Sequence, residues 1–185
     1  MLRVIAGSAR RLQLKTLEGM DTRPTQDRIK ETLFNVLQQD LYGARFLDLF
    51  SGSGAIAIEA LSRGASEAVL VETNKKAVAI IEDNLAHTKL ADHSRVMNMD
   101  ACSAIRMLEG KKESFDIIHM DPPYRKEMEA QVLRTLATSS IVAEDTIIVV
   151  EAALETDFSY LSTLPYEIVK TKEYKTNKHL FLRRK

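Results

Sequence analysis

The sequence contains few of the residues that mark specialised protein classes. Its 185 residues include one cysteine, no tryptophan, four prolines and seven glycines. The single Cys102 excludes an internal disulfide and a cysteine-based zinc cluster, and it fits a reducing compartment. No apolar run approaches the ~20 residues of a membrane-spanning helix, and the apolar stretch at the amino terminus is too short for a secretory signal. We therefore expect a cytoplasmic protein with no membrane partner and no metal centre.

The charges that are present are unevenly distributed, although the net charge is zero. Residues 1–30 hold seven Lys or Arg against three acids, and residues 166–185 hold seven against two. Basic ends on an acidic body suit a polyanion such as RNA, whereas chance clustering on a solvated surface is the alternative. This pattern alone is compatible with a non-catalytic RNA-binding module.

Apolar runs and helical patterns alternate along most of the chain, which is typical of a doubly wound α/β sheet. The predicted strands are 46–50, 68–71, 95–99, 115–120 and 146–150, with helices at 54–63, 75–87, 103–108 and 127–137. An antiparallel pair, 166–174 and 179–182, completes a mostly parallel, seven-stranded sheet. We expect one domain over residues 1–185, formed by an extension at 1–43 and a core at 44–185.

The extension should hold a small hairpin and one helix. Short strands at 3–5 and 12–14 flank a turn with two arginines at or just after its tip. Thr25 is a candidate N-cap for the following helix. Helical spacing places Ile29, Leu33, Phe34 and Leu37 toward the core, and Asp27, Arg28, Lys30 and Glu31 on the opposite side.

A glycine turn follows the first strand of the core. Gly52-Ser53-Gly54 would let a ligand approach the backbone at the start of the next helix. Asp48, near the end of the buried strand, either caps that helix or pairs with a cationic or hydroxyl-bearing ligand. Residues 52–57 also fit the dinucleotide pattern G-x-G-x-x-G/A, so a nicotinamide-dependent oxidoreductase is a competing hypothesis.

Acids stand where four successive predicted strands end: Asp48, Glu72, Asp100 and Asp121. Parallel strand ends converge on one crevice, so these carboxylates should meet there. Glu72 lies 24 residues after Asp48, about where an acid holds a ribose diol. Asp100 is placed to accept a hydrogen bond from an adenine amino group. Helix N-caps are the alternative for Glu72 and Asp100.

Asp121-Pro122-Pro123-Tyr124 is the most informative motif. The prolines stiffen the chain and leave their carbonyls as free acceptors beside the Asp121 carboxylate. Such acceptors suit an exocyclic amino group, whose nitrogen could then attack an electrophilic methyl, while Tyr124 stacks on the base. A rigid turn with a core tyrosine is the alternative. We expect His119, on the preceding strand, to point away from the crevice and bond to backbone.

Asp48-x-Phe50-x-Gly52-x-Gly54 together with Asp121-Pro122-Pro123-Tyr124 resembles the class I S-adenosylmethionine-dependent amino-methyltransferases of nucleic acids. The segment from Arg23 to Asn35 is similar to the RsmD family, which methylates guanine N2 in bacterial small-subunit (16S) ribosomal RNA. The Asp-Pro-Pro-Tyr motif is shared with adenine-N6 enzymes, so an adenine-N6 methyltransferase on DNA or RNA is the alternative. The family often has a glycine between the hairpin arginines, whereas Arg10 and Arg11 are adjacent here.

The resemblance implies an S-adenosylmethionine-binding catalytic core and an RNA-binding extension that acts on ribosomal RNA within a small subunit or an assembly intermediate. Cofactor-binding residues would be Asp48, Phe50, Ser51, Gly52, Gly54, Glu72, Thr73, Asp100 and Ala101. Asp121, Pro122, Pro123 and Tyr124 would hold the target amine and base. RNA phosphates would meet Arg10, Arg11, Lys15, Arg23 and Arg28.

Overall fold

A computed structural model describes residues 2–17, 24–123 and 127–185. Two of the residues predicted to be functional, Arg23 and Tyr124, lie outside these ranges. Within the described residues, no helix is both long enough and apolar enough to cross a membrane.

Seven strands form one mixed sheet, as the sequence predicts. Their bounds are β1 Arg45–Asp48, β2 Glu67–Val71, β3 Ser94–Met97, β4 Phe115–Met120, β5 Val142–Ala153, β6 Tyr166–Glu173 and β7 Asn177–Arg184. The spatial order is β3-β2-β1-β4-β5-β7-β6. Strands β1 to β5 are parallel, and β7 runs antiparallel between β5 and β6. The α/β fold class is therefore confirmed.

Helices cover both faces of this sheet. They are α1 Pro24–Leu41, α2 Ala55–Ser62, α3 Lys75–Thr88, α4 Ala101–Gly110 and α5 Met128–Ala137, with 3₁₀ turns at Ala91–His93 and Ser159–Thr163. One buried cluster packs α1, α2 and α3 on the sheet, and a second packs α4 and α5 on the other face. The predicted inward positions Leu33, Phe34 and Leu37 are buried in the first cluster. Because α1 begins at Pro24, the prediction of Thr25 as its N-cap is wrong, and proline suits a first helical turn.

The amino-terminal hairpin is docked on α2 rather than standing free. It has one bridge, Arg3 to Gln13, and its turn approaches α2 so closely that a side chain at Gly7 would collide with the Ser62 carbonyl. The Ser62 hydroxyl accepts from the Ala9 amide at 2.9 Å and donates to the Ala6 carbonyl at 2.6 Å. These bonds fix the hairpin against the core.

Buried Glu59 ties the same hairpin to α1. Its carboxylate accepts from the amides of Ile5 and Ala6 at 2.8 and 3.0 Å, and it forms an ion pair of 3.3 Å with Lys30. The prediction that Lys30 faces away from the core is wrong: the side chain is buried and also donates to the Arg3 carbonyl. Helical spacing favoured an outward lysine because it could not anticipate a buried acid on a neighbouring helix.

Candidate functional site

A cleft of about 650 Å³ opens at the carboxyl ends of the central strands. It lies where the strand order reverses between β1 and β4, which is the point where open α/β sheets bind ligands. The volume is within the range of small-molecule sites, roughly 300–1,000 Å³. Helix α1 forms one wall through Gln26, Ile29, Lys30 and Leu33. The amino-terminal extension therefore contributes directly to the cleft.

The glycine turn after β1 borders this cleft on one side. Gly52 has φ +55°, and a β-carbon there would meet nothing within 4 Å, so the turn leaves room for a ligand. Gly54 has φ +80°, and a β-carbon at this position would lie 3.2 Å from the Leu70 side chain and 3.4 Å from the Ile81 side chain. Gly54 thus serves the turn and the packing beneath it, and it does not line the cleft.

Two acids on the same side of the cleft are held by backbone amides. Glu72 accepts from the amides of Gly52 and Asn74, each at 2.9 Å. The N-cap of α3 is Asn74, so Glu72 is not that cap. Asp100 does cap α4, because it accepts from the Ser103 amide at 2.9 Å. Hydrogen bonds from the Ser103 hydroxyl and then from its amide lower the pKa of Asp100. Asp100 is exposed and lines the cleft as well, so the cap and the ligand role are compatible.

The structure brings most of the predicted cofactor and catalytic residues together. Besides Glu72 and Asp100, the cleft is lined by Asp48, Phe50, Ser51, Gly52, Thr73, Ala101, Asp121, Pro122 and Pro123. The acid-proline-proline segment and the glycine turn therefore border one cavity. That arrangement is the geometry a two-ligand transfer reaction needs, with a donor and an acceptor in one space.

Asp48 and His119 form a buried pair at the base of the cleft. They are paired in register across β1 and β4, and both are at most 2% exposed. His119 Nδ1 lies 3.2 Å from Asp48 Oδ1. Asp48 is not the cap of α2, whose N-cap is Gly54 without a side-chain bond. The prediction that His119 points away from the crevice is wrong, because register places it beside Asp48 on the cleft-facing side of the sheet.

The charge state of this pair follows from its surroundings. Burial disfavours the charged imidazole, but the hydrogen bond to Asp48 and the nearby carboxylates outweigh it and raise the pKa of His119. The other ring nitrogen, Nε2, is buried and has no hydrogen-bond partner among the described residues. His119 is therefore held at one ring nitrogen and available at the other.

Asp121 borders the cleft in an acidic environment. Asp121 is exposed to solvent within the cleft, although protein atoms crowd around its carboxyl. Burial, together with the negative charge of Glu151, raises the pKa of Asp121 to about 7. Burial alone would raise the pKa of Glu151 as well. Hydrogen bonds from His179 at 3.0 Å and Asn177 at 2.6 Å outweigh burial, so that the pKa of Glu151 is lowered.

Glu151 and His179 line the cleft and were missed by the sequence reasoning. A signal for Glu151 existed, since it follows the predicted strand 146–150 as Asp48, Glu72 and Asp100 follow or end theirs. His179 had no local signal. Its place depends on the antiparallel register of β5 and β7, which pairs Glu151 with His179.

The predicted RNA-binding residues that the structure describes lie outside the cleft, on the extension. Arg10, Arg11, Lys15 and Arg28 are exposed, and Lys15 pairs with Asp83 at 2.7 Å. Arg11 adopts φ +73°, the left-handed conformation that glycine prefers. The turn thus keeps a glycine-like backbone without the glycine that the RsmD family often has there. Among the described residues, no three His, Cys, Asp or Glu could hold a metal ion.

Comparison with known proteins agrees with this geometry. A family model described as "Conserved hypothetical protein 95" matches residues 2–183. Ribosomal RNA small subunit methyltransferase D of Escherichia coli K12 is 36% identical over 83% of this chain and 76% of its own. The Haemophilus influenzae protein of that name is 32% identical over 81% of this chain and 78% of its own.

A solved structure gives the same result. It comes from E. coli, and its protein is named only provisionally as the methyltransferase yhhF. It superposes with a TM-score of 0.84 at 31% identity, and the match covers 100% of this chain and 98% of that one. Sequence, fold and cleft thus agree: the chain belongs to the RsmD family of methyltransferases.

Proposed function

We propose that this protein transfers a methyl group from S-adenosylmethionine to the exocyclic N2 amine of a guanine in small-subunit ribosomal RNA. The observation that carries the proposal is the shared cleft, in which Asp121-Pro122-Pro123 and the glycine turn face one cavity. The names of the relatives support a ribosomal RNA substrate of the small subunit. Family membership also argues against the nicotinamide-dependent oxidoreductase.

The cleft fits the proposed cofactor in shape and charge. Open space beside Gly52 leaves room for a ligand close to the turn, and acids around the cavity complement a cationic ligand. Glu72, oriented by two amides, would hold the ribose hydroxyls, with Thr73 beside it; Asp100 and Ala101 would meet the adenine. Asp48, Phe50 and Ser51 would line the methionine end, and Gly54 would maintain the turn. When bound, the cofactor would supply an electrophilic methyl on a positively charged sulfur.

Asp121 would act on the methyl acceptor. As a carboxylate it would accept a hydrogen bond from the target amine, with the proline carbonyls as further acceptors. These bonds localise the nitrogen lone pair, which forms the new N–C bond as the S–C bond electrons pass to sulfur. Methylation makes the nitrogen acidic, so its proton leaves toward Asp121 and then solvent. Most of the rate would come from positioning and electrostatics. Tyr124 is proposed to stack on the base.

RNA would reach the cleft along the extension. The target base must leave its stack to enter the cavity, so a loop or a partly assembled particle suits the site better than a continuous duplex. Arg10, Arg11, Lys15 and Arg28 would bind phosphates there, together with Arg23. Guanine N2 is proposed from the resemblance to the RsmD family, and adenine N6 is the alternative that the product analysis distinguishes.

The experiment combines the wild-type protein with small subunits that lack the modification, and separately with free 16S RNA. Labelled S-adenosylmethionine supplies the methyl group, and mass mapping locates the product. We expect N2-methylguanine at one position. Replacement of Asp121 by Ala should abolish transfer while calorimetry finds cofactor affinity within about tenfold, because the Asp121 bond is to the amine. Asp116→Ala is the matched control, because Asp116 lies near the start of β4, whose other end leads into Asp121, and it does not line the cleft. Methyl transfer at the normal rate by Asp121→Ala, or N6-methyladenine as product, would contradict the proposal.

The RNA surface is tested by the double change Arg10→Ala with Arg11→Ala. Loss of two phosphate contacts should weaken RNA binding and reduce the slope of log affinity against log salt by roughly 1 to 2. Lys111→Ala with Lys112→Ala removes the same charge from an exposed loop after α4, and it should leave the slope unchanged. Equal slopes for the wild type and the arginine variant would rule out phosphate contact at the hairpin tip.

A further inference from the structure

A row of ionisable side chains crosses the sheet at the base of the cleft. It contains Asp48 on β1, His119 on β4, Asp121 just after β4, Glu151 on β5 and His179 on β7. All five line the cavity. The proposed reaction uses Asp48 and Asp121 but gives no role to the imidazole between them.

Strand register explains why His119 and Asp121 share a face. They are two residues apart, and side chains two apart on an extended strand point the same way. Met120, between them, is buried in the cluster on the opposite face, under α4 and α5. His119 therefore lies one step deeper than Asp121 on the cleft side, directly beside Asp48.

The hydrogen bond to Asp48 determines how the imidazole is protonated. A carboxylate can only accept, so the proton of this bond resides on His119 Nδ1. Nε2 then either accepts from a ligand or carries a second proton and a positive charge. Burial disfavours the charged ring. The carboxylates of Asp48, Asp121 and Glu151 favour it, and together they outweigh the effect of burial.

We propose that His119 is a positioning residue for the methyl transfer described above: its imidazolium, held by Asp48, keeps the Asp121 carboxylate ionised and so able to accept a hydrogen bond from the target amine. The inference rests on the proposed function. It assigns to His119 an effect on Asp121, rather than contact with the cofactor or the base.

The other positively charged or titratable groups in the described part of the cleft are bound to partners of their own. Lys30 reaches the cleft from α1, but its ammonium is paired with buried Glu59. On β7, His179 is bonded to Glu151 and to the Tyr174 hydroxyl, at 3.0 and 3.2 Å. Among the lining residues that the structure describes, the remaining charged groups are Glu72 and Asp100, which are acids on the cofactor side. A positive charge at His119 thus offsets acids that would otherwise favour a protonated Asp121.

The test is the pH dependence of single-turnover methyl transfer at saturating cofactor and RNA. In the wild type, the rate should rise with pH as Asp121 ionises and then become constant. His119→Gln keeps a polar side chain but cannot carry charge. This substitution should move the midpoint of the pH–rate profile upward by about one pH unit, so that the rate on the acid side is about tenfold lower. At pH 9 the rate of the variant should be within about twofold of the wild-type rate. Recovery at high pH is expected because Asp121 is ionised at pH 9 in both proteins.

Two further variants sharpen the result. Glu151→Gln removes the charge that opposes ionisation of Asp121, so its midpoint should move downward. His179→Gln makes the same substitution at the other buried histidine of the row, and its midpoint should not rise. Calorimetry with S-adenosylhomocysteine and thermal unfolding show whether each variant still folds and binds.

Each outcome supports or contradicts a specific claim. An unchanged midpoint in His119→Gln, or an equal loss of rate at every pH, would overturn the role assigned to His119, the second because it would indicate a purely structural effect. A midpoint that moves upward, together with a rate that returns to nearly the wild-type value at pH 9, supports that role. If instead the wild-type protein transfers no methyl group, the proposed function itself fails. These results are distinguishable because the wild type is measured first.

Discussion

Glu59 is buried and Asp121 lies exposed in the cleft, and the neighbours of these two carboxylates act on their charges in opposite ways. Glu59 lies between the amino-terminal extension and the core and receives four donors: the amides of Ile5 and Ala6, the Lys30 ammonium and the Arg63 guanidinium. Asp121 borders a cavity, and a second carboxylate, Glu151, lies near enough to raise its pKa. The neighbours of Glu59 stabilise its negative charge, whereas the neighbouring Glu151 destabilises the negative charge of Asp121.

The comparison distinguishes a charged group that stabilises the fold from a charged group whose partners would come from a ligand. A buried acid with every oxygen bonded fixes the elements that supply its donors, and its own ionisation is secure. An acid left with too few donors raises the energy of the ligand-free state, and a ligand that brings donors or positive charge relieves it. On this criterion the Glu59 cluster is structural, and Asp121 fits the ligand-binding role that we propose for it.

The largest expected effect is on the structural side. Glu59→Ala removes the carboxylate that pairs with Lys30 and Arg63 and that accepts from two hairpin amides, and removal of one partner from a buried ion pair typically costs about 3–5 kcal/mol. We expect a loss of this size in the free energy of unfolding, measured by chemical denaturation. Hydrogen exchange at Ile5 and Ala6 should accelerate beyond the global change, because the hairpin loses its attachment.

Glu67→Ala is the control, since its ion pair with Arg45 is partly exposed, with the Glu67 side chain 42% accessible. Such pairs contribute about 0–1 kcal/mol. If Glu59→Ala cost no more than this control, the Glu59 cluster would not hold the extension in place, and the first half of the comparison would fail.

The sequence predicts the sheet well because its signals are local. Short, mostly apolar segments with an acid at the strand end or directly after it mark β1, β2 and β4, and the observed bounds differ from the predicted ones by two residues or fewer for these strands. Strand β5 is longer than predicted, since it starts at Val142 and includes the exposed residues 143–145, two of which are acids. Pairing with neighbours, rather than an apolar pattern, extends it.

The site is predicted only where the chain itself places residues side by side. The glycine turn and Asp121-Pro122-Pro123 are contiguous motifs, and strand order brings them to one cleft. The partners of His119, Lys30 and Glu151 come from other elements: Asp48, Glu59 and His179 respectively. Those contacts depend on tertiary register and helix packing, so reasoning from spacing alone assigned His119 and Lys30 to the wrong side.

A smaller effect of opposite sign is expected at the cleft. Asp121→Asn removes a charge that the folded protein disfavours, so the ligand-free protein should become more stable while methyl transfer is lost. In the wild type, the folded-state pKa of about 7 lies above the usual value of 3.8, so the folded protein holds a proton that the unfolded chain releases. Stability of the wild type relative to the variant should therefore fall as pH rises from about 4 to about 7, and then remain constant.

Denaturation of both proteins at pH 5 and pH 8 measures this difference. Because Asp121 is partly accessible through the cavity, solvent screening reduces the gain, and we expect about 1 kcal/mol at pH 8 with a smaller gap at pH 5. A variant less stable than wild type at pH 8 would mean that Asp121 has favourable partners in the folded state, like Glu59. The contrast between the two acids would then be lost, and so would the argument that Asp121 is poised for a ligand.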